Sequence, residues 1–328
     1  MNYKPKNHSQ SLQKLYYYCN FIIGGDIQSY LANILVSAFP LNLFRIITKL
    51  TTYLLIKQLS TSQTFANCCI KSNKKDKYKT YKELVTVLET NGLTKAQLII
   101  GFDFSGSNKW TGQRLYGCNM HDVTQLKETP YETIARLIDP LIKKFDDDGN
   151  IPSYIFGDVL TKNAKVRPLD PDAEDPNIQG MDAVLKTYRQ FAPTVQQSGP
   201  TSLGPLIDEA IKSCERSPEF HILIAITDGD ITEPDQDKIK IQKASGYPLS
   251  IVVVGVGDGP FDILEQFDSK LSGRKFDNFN FFNYSEYKHK IDFMDTGSQN
   301  TAEEMVALQM LQEIPDQYQD IKTLQLLK

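Results

Sequence analysis

Residues 97–107, with the sequence QLIIGFDFSGS, are the most informative segment for the fold of this chain. It joins an unbroken apolar run to a polar segment that contains Asp103, Ser105 and Ser107. Such a run predicts a strand that is covered on both faces, because both rows of its side chains avoid water. A strand that ends at Asp103 would place this carboxylate at the carboxyl edge of a sheet, where open α/β sheets bind their ligands.

The pattern of short apolar runs between amphipathic stretches continues along the chain. Strands are predicted at residues 97–103, 151–156, 220–227, 249–256 and 280–284. Helices are predicted at residues 81–90, 131–145, 181–191, 203–214, 235–244, 261–271 and 301–312. The segment through Trp110 and Tyr116 and the Pro/Asp-rich segment 166–179 are predicted to be loops. This alternation predicts a doubly wound α/β fold with a mostly parallel central sheet and helices on both faces.

Two further polar residues occupy places that match the first group. Asp228 follows the predicted strand 220–227, and Thr201 precedes the predicted helix 203–214. If the strands that end at Asp103 and Asp228 are neighbours, both carboxylates reach the same edge of the sheet. The candidate site therefore consists of Asp103, Ser105, Ser107, Thr201 and Asp228.

The chemistry of this set indicates a hard divalent cation. It contains two carboxylates and three hydroxyls, and it contains no histidine or cysteine. Such oxygens suit Mg²⁺, with Mn²⁺ or Ca²⁺ as alternatives, and they do not suit Zn²⁺ or Cu²⁺. Because Mg²⁺ takes about six oxygens, a position remains for an outside ligand. Taken alone, residues 103–107 could also form an ordinary turn or a helix cap.

These segments resemble the metal-ion-dependent adhesion site of von Willebrand factor A domains, and in particular that of copines and copine-like RING ubiquitin ligases. The segment FDFSGSN at residues 102–108, followed by WTG at 110–112, is similar to a segment of these proteins. Further similar segments are GPT at 199–201, ITDG at 226–229, VVGVG at 253–257 and QEIPDQY at 312–318. The resemblance covers residues 81–318 and implies a von Willebrand factor A fold with a divalent-metal site.

The first 80 residues differ in charge from the rest of the chain. They contain 11 Lys+Arg and 2 Asp+Glu, whereas the rest contains 25 and 38. The predicted organisation is a basic, poorly defined leader (1–80), a copine-like von Willebrand factor A domain (81–318) and a tail (319–328). Apolar clusters in the leader are interrupted by charged residues, which argues against a spanning helix. Cys68-Cys69 beside a lysine-rich stretch would allow membrane contact, but a solvated linker is the preferred interpretation.

The cysteines indicate the cellular compartment and whether a zinc-binding RING is present. Five cysteines with no C-x₂-C pair predict free thiols in a reducing compartment. We therefore expect a cytoplasmic location, with a nuclear or peripheral-membrane location as alternatives. A RING takes about eight Cys or His ligands, with C-x₂-C pairs among them. Because the sequence contains no such pair, no RING is predicted. A chain of 328 residues also leaves no room for the paired C2 domains of copines.

Together these observations predict a non-catalytic protein-protein interaction module. Its Mg²⁺ would bind a Glu or Asp of a partner protein, and the resemblance implies an intracellular signalling or ubiquitin-pathway scaffold. One alternative is a ubiquitin-ligase subunit or ligase-related protein, and a second is a membrane-associated copine-like adaptor. No enzyme is predicted, because the sequence has no RING, Walker loop or catalytic triad, and no general base for a metal-assisted hydrolase. No nucleic-acid binding is predicted either, because the leader's aromatic residues lie far from its lysine run.

Overall fold

The computed structural model of the chain describes residues 77–145, 148–229, 231–291 and 301–327. The predictions for the basic leader concern residues 1–80, of which residues 1–76 lie outside this description. Within the described ranges, no helix is both long enough and apolar enough to cross a membrane.

Strands and helices alternate along the described residues. The strands are β1 (Ala96–Asp103), β2 (Asn150–Phe156), β3 (Arg167–Pro168), β4 (Asn177–Gln179), β5 (Phe220–Thr227), β6 (Leu249–Gly255) and β7 (Phe279–Asn283). The helices are α1 (Tyr81–Thr90), α2 (Ser107–Leu115), α3 (Pro130–Phe145), α4 (Met181–Phe191), α5 (Gly204–Arg216), α6 (Pro234–Ala244), α7 (Asp262–Lys270), α8 (Tyr284–Ile291), α9 (Ala302–Leu311) and α10 (Ile314–Thr323).

The strands form one sheet in the order β3-β2-β1-β5-β6-β7, with β4 also pairing with β2. Strands β2, β1, β5, β6 and β7 run parallel to one another, and β3 and β4 are antiparallel to β2. The register pairs Asp103 with Phe156 and Phe102 with Ile226. The carboxyl ends of β1, β2 and β5 therefore lie side by side, which is the arrangement that the candidate site requires.

Both faces of the sheet are covered by helices, which confirms the predicted fold class. Successive residues of the central strands point to opposite faces, so Ile224 packs on one side and Leu223 on the other. Helices α1, α3, α4, α9 and α10 contribute to the first core, and α5, α6 and α7 to the second. All eight residues of β5 are buried, as expected for a central parallel strand.

The predicted loop through Trp110 and Tyr116 is wrong over most of its length, because residues 107–115 form helix α2. The residues that this helix buries are Asn108, Thr111 and Gly112. Since these are polar or small, the segment lacks the apolar period by which a helix is predicted from sequence. Of the two predicted serines, Ser105 thus lies on the loop after β1, and Ser107 is the first residue of α2.

Other differences concern short or late elements. The predicted loop 166–179 contains the edge strands β3 and β4, which are too short and too polar to be seen in the sequence. Helix α10 begins with Pro315 in its first turn, a position that proline favours, and it runs across the predicted boundary at residue 318. Its residues Ile314, Tyr318 and Ile321 are buried at helical spacing.

Candidate metal centre

The predicted carboxylates lie at the carboxyl edge of two neighbouring strands. Asp103 is the last residue of β1, and Asp228 directly follows β5. Both side chains are buried. Two adjacent carboxylates in a buried position are costly unless hydrogen-bond donors or a cation compensate their charge.

The two predicted serines bring these strand ends together. Ser107 Oγ donates to Asp228 Oδ1 at 2.8 Å, and Ser105 Oγ lies 3.3 Å from the same oxygen. The two serine hydroxyls are 2.9 Å apart. Three of the five predicted residues thus form one hydrogen-bonded group, with Ser105 on the loop and Ser107 at the first residue of α2.

Both oxygens of the Asp103 carboxylate accept hydrogen bonds. The backbone amide of Ser105 donates to Oδ1 at 2.8 Å, and Thr227 Oγ1 donates to Oδ2 at 2.6 Å. Thr227 was not among the predicted site residues. Its only signal in the sequence is its place at the end of a strand, immediately before Asp228.

Thr201 reaches the same space from the loop before α5. A methyl group built on Gly157 would lie 2.8 Å from Asp103 Oδ1, 3.1 Å from Ser105 N and 3.3 Å from Thr201 Oγ1. These atoms therefore surround one small space that the missing side chain of Gly157 leaves open. Gly157 also has φ +77°, a conformation that other residues rarely adopt. All five predicted residues are brought together at this edge.

The donor set fits a hard divalent cation. It presents carboxylate and hydroxyl oxygens to a common space, as Mg²⁺ and Mn²⁺ require. Within the described residues, no group of three or more His, Cys, Asp and Glu side chains is arranged to hold a metal ion. A cation at this site would have two carboxylates and three hydroxyls as its side-chain ligands.

Asn108 fixes the loop that carries the first ligands. Its side-chain amide donates to the carbonyl oxygens of Asp103 and Ser105, both at 3.2 Å. Its carbonyl oxygen accepts a hydrogen bond of 2.7 Å from the hydroxyl of Tyr131. Asn108 is fully buried, so it acts as an internal brace rather than as a surface residue.

His121 supports the same loop through contacts with Asp103 and Phe104. Its ring lies between those of Phe104 and Tyr131, with centroid distances of 3.9 and 4.2 Å. Burial lowers the pKa of His121 to about 3, so the ring is neutral. Nε2 donates to the carbonyl of Asp103 at 2.9 Å, and Nδ1 accepts from the hydroxyl of Tyr188 at 2.7 Å. These contacts agree with a structural role for this histidine.

The loop of Thr201 is tied to the loop that follows Asp228. Thr232 Oγ1 accepts from Thr201 N at 3.0 Å and donates to Thr201 O at 2.7 Å, and Thr232 N donates to the same carbonyl at 2.9 Å. Both sides of the site are therefore joined by three hydrogen bonds. Thr232 gives no signal in the sequence, because it is 31 residues from its partner.

Asp237 of α6 holds the start of α5, directly after Thr201. It is fully buried and accepts from Ser202 Oγ at 2.5 Å, Gly204 N at 2.7 Å and Leu203 N at 3.1 Å. Burial raises the pKa of its carboxyl. Asp237 thus caps a helix from a distance in the sequence, a role that local capping patterns do not reveal.

A sequence model of the Copine family matches residues 119–328, which is more than half of the chain. The chain is a copine-family protein. Copine family protein 2 of Caenorhabditis elegans is 36% identical over 253 residues, which cover 76% of this copine-family chain and 3% of the worm protein. The resemblance found in the sequence is thereby confirmed.

Plant proteins of the same family are equally similar. E3 ubiquitin-protein ligase RGLG3 of Arabidopsis thaliana is 36% identical over 258 residues, covering 74% of the copine-family chain and 68% of the ligase. E3 ubiquitin-protein ligase RGLG5 of the same plant is 37% identical over 257 residues, covering 74% of the chain and 58% of the ligase. The chain therefore spans only part of the length of these relatives.

Among solved structures, a von Willebrand factor type A protein from Catenulispora acidiphila matches with a TM-score of 0.39 and 14% identity. The match covers 66% of the copine-family chain and 43% of that protein.

The prediction that the chain is not an enzyme is contradicted by the plant relatives. E3 ubiquitin-protein ligases are enzymes, and proteins with that name are 36% and 37% identical to the chain. The prediction was wrong because it rested on the motifs of RING, Walker and triad enzymes. The absence of those motifs therefore did not exclude similarity to ubiquitin ligases.

Proposed function

We propose that this copine-family chain recognises partner proteins in ubiquitin ligation through a divalent cation. Asp103, Ser105, Ser107, Thr201 and Asp228 would hold the cation, and a Glu or Asp of the partner would complete its coordination. Two observations carry this proposal. Ser105 and Ser107 hydrogen-bond to Asp228 across the two strand ends. Asp103 Oδ1 and Thr201 Oγ1 both border the space beside Gly157.

The hydrogen bonds of Asp103 favour a cation that still attracts an anion. Both oxygens of this carboxylate accept a hydrogen bond, one from Ser105 N and one from Thr227 Oγ1. These donors draw negative charge away from the cation, and three of its five side-chain ligands are neutral. A Mg²⁺ ion in this position would keep affinity for one further carboxylate.

The relatives support the ubiquitin pathway as the setting. The aligned regions of the two plant E3 ligases cover 74% of this chain, so the ligases contain a comparable domain. A domain that captures a partner through its acidic side chain would supply substrate recognition to such a ligase. The metal-dependent contact would then decide which protein is brought to ubiquitin transfer.

Metal binding is tested first, with Mn²⁺ as the probe and electron paramagnetic resonance as the readout. We expect the wild-type chain to bind one Mn²⁺ that Mg²⁺ displaces, and Asp103→Asn and Asp228→Asn to lose this binding. Asp172→Asn, which changes an exposed aspartate on the loop after β3, is the matched control. Equal Mn²⁺ binding by all four proteins would contradict the proposed site.

Partner recognition is tested with the same four proteins. Proteins captured from lysate in Mg²⁺ and released by EDTA are identified and assayed for ubiquitin conjugation. We expect capture by the wild type and Asp172→Asn, and none by the two site variants. Capture that is unchanged by EDTA and by both variants would place the binding surface elsewhere.

A further inference from the structure

Two large apolar side chains are exposed on the elements that carry the candidate metal centre. Trp110 of α2 and Leu160, on the loop after β2, are each 64% exposed. Large apolar side chains of the described residues are otherwise mostly buried. Exposed tryptophan is characteristic of protein-binding surfaces, where it is enriched among the residues that dominate affinity.

Trp110 lies one helical turn from the ligand Ser107. Residues three apart on a helix are neighbours on its surface, with about 5–6 Å between their Cβ atoms. The opposite flank of α2 is buried, since Asn108 and Gly112, each two positions from Trp110, are buried. Trp110 therefore stands on the outer flank of α2, beside the metal centre.

An ion pair holds α2 in this orientation. Arg114 Nε and Nη2 donate to the two carboxylate oxygens of Asp258 at 2.7 and 2.6 Å, which ties the helix to the loop after β6. A two-pronged contact of this kind restricts rotation as well as separation. Trp110 is thereby presented from the β5–β6 side of the site on a fixed support.

Leu160 is presented from the opposite side. Its loop is built around the buried Asp158, which accepts from Leu160 N at 3.1 Å, Thr161 N at 2.8 Å and Arg167 Nε at 2.9 Å. The loop follows β2, and β1 separates β2 from β5 and β6 in the sheet. The metal centre at the ends of β1 and β5 consequently lies between Trp110 and Leu160.

We infer that Trp110, the metal centre and Leu160 form one docking surface for a partner segment in which an acidic residue is flanked by apolar side chains. This inference rests on the proposed function and specifies its partner. Charge complementarity supports it, because the exposed Lys109 and Lys162 adjoin Trp110 and Leu160 on the same two elements. The carboxylate would anchor the segment on the cation, and its apolar neighbours would cover Trp110 and Leu160.

A random linear peptide library tests the inference on the full chain. The library is bound in Mg²⁺ and eluted with EDTA, and the eluted peptides are sequenced. We expect an acidic residue with an apolar residue within a few positions of it. Trp110 is the only tryptophan of the chain, so its fluorescence should shift to shorter wavelength when such a peptide binds in Mg²⁺.

Matched variants assign the contact to the two side chains. Trp110→Ala and Leu160→Ala should each weaken peptide binding about tenfold, with Mn²⁺ binding unchanged. Leu324→Ala is the control, because Leu324 is also exposed but lies far from the site, at the end of α10. Lys322 of α10 donates a hydrogen bond to the carbonyl of Asn91, which precedes β1 at the opposite edge of the sheet. It should bind peptide like the wild type.

The outcomes separate this inference from the proposed function. Acidic peptides without apolar enrichment, or wild-type affinity in both variants, would overturn the inference and leave metal-dependent recognition intact. A library that yields no EDTA-eluted peptide would overturn both. A shift of Trp110 emission on phosphatidylserine vesicles, without peptide selection, would assign the surface to a membrane and overturn the inference.

Discussion

Thr227 Oγ1 donates a hydrogen bond of 2.6 Å to Asp103 Oδ2, joining the carboxyl ends of β5 and β1 inside the protein. This contact orients a proposed metal ligand through a residue that would not touch the metal. Since the Asp103 carboxylate is buried, the hydroxyl also compensates part of its negative charge.

Replacing Thr227 by valine removes this hydroxyl and nearly preserves the side-chain shape. We expect Mn²⁺ affinity to fall about 10- to 100-fold, as is usual when a partner of a metal ligand is lost. The free energy of unfolding should fall by about 1–3 kcal/mol, because a hydrogen bond to a buried charged group is lost. Mn²⁺ titration and urea denaturation measure the two effects. Thr227→Ser keeps the hydroxyl and should retain metal binding; equal loss in both variants would contradict the role of the hydrogen bond.

Gly157→Ala should abolish metal binding, because the added methyl group would lie 2.8 Å from Asp103 Oδ1 and enter the space between the ligands. Gly180→Ala is a close control. Gly180 has φ +80° against +77° for Gly157, and nothing lies within 4 Å of its added methyl group. Both variants should lose about 1–3 kcal/mol of stability from backbone strain. Only Gly157→Ala should lose Mn²⁺, and metal binding by both would show that the space beside Gly157 is not the site.

Asp237 predicts a specific pH dependence of stability. Burial raises the pKa of its carboxyl, so the folded chain binds this proton more tightly than the unfolded chain. The resulting contribution to stability is complete below about pH 4, the ordinary range of aspartate, and is lost as pH rises through the folded pKa. Asp237→Asn cannot titrate. Urea denaturation between acid and neutral pH should therefore show the wild type losing stability relative to Asp237→Asn as pH rises, whereas a constant difference would contradict the raised pKa.

Cys214 should be protected from alkylation in the folded protein. Burial raises the pKa of its thiol to about 12, so very little reactive thiolate exists near neutral pH. We expect iodoacetamide to leave Cys214 unmodified in native protein and to modify it in urea, with peptide mass spectrometry as the measurement. Rapid native modification would mean that the second core opens readily around α5.

The sequence predicted most of the sheet because each central strand is an apolar run with a clear end. The predicted strand at residues 220–227 coincides with β5, and the two aspartates that follow or end such runs were placed correctly at one edge. Helix α2 was not predicted, because its buried residues are polar or small. Its helical form is stabilised by contacts such as the Asn108 brace, which exist only in the folded chain.

The residues that hold the proposed ligands in place could not be predicted from the sequence either. Thr227, Thr232 and Asp237 act on residues 31 or more positions away, so no local pattern identifies them. Their roles follow from the order of strands in the sheet, which brings distant loops together. Ligands could be predicted because their chemistry is distinctive, whereas their supports use common residue types.

The site joins Asp103 to Thr227 and Asp228 across 124 residues or more of sequence. A ribosome-bound chain that has emerged only as far as α2 would contain Asp103, Ser105 and Ser107 but not Thr201 or Asp228. Tight cation uptake would begin only after β5 has paired with β1, and it would then stabilise that pairing. Newly made chains would accordingly bind no partner through the proposed site until β5 has paired with β1, so partner binding would require an assembled centre of the sheet.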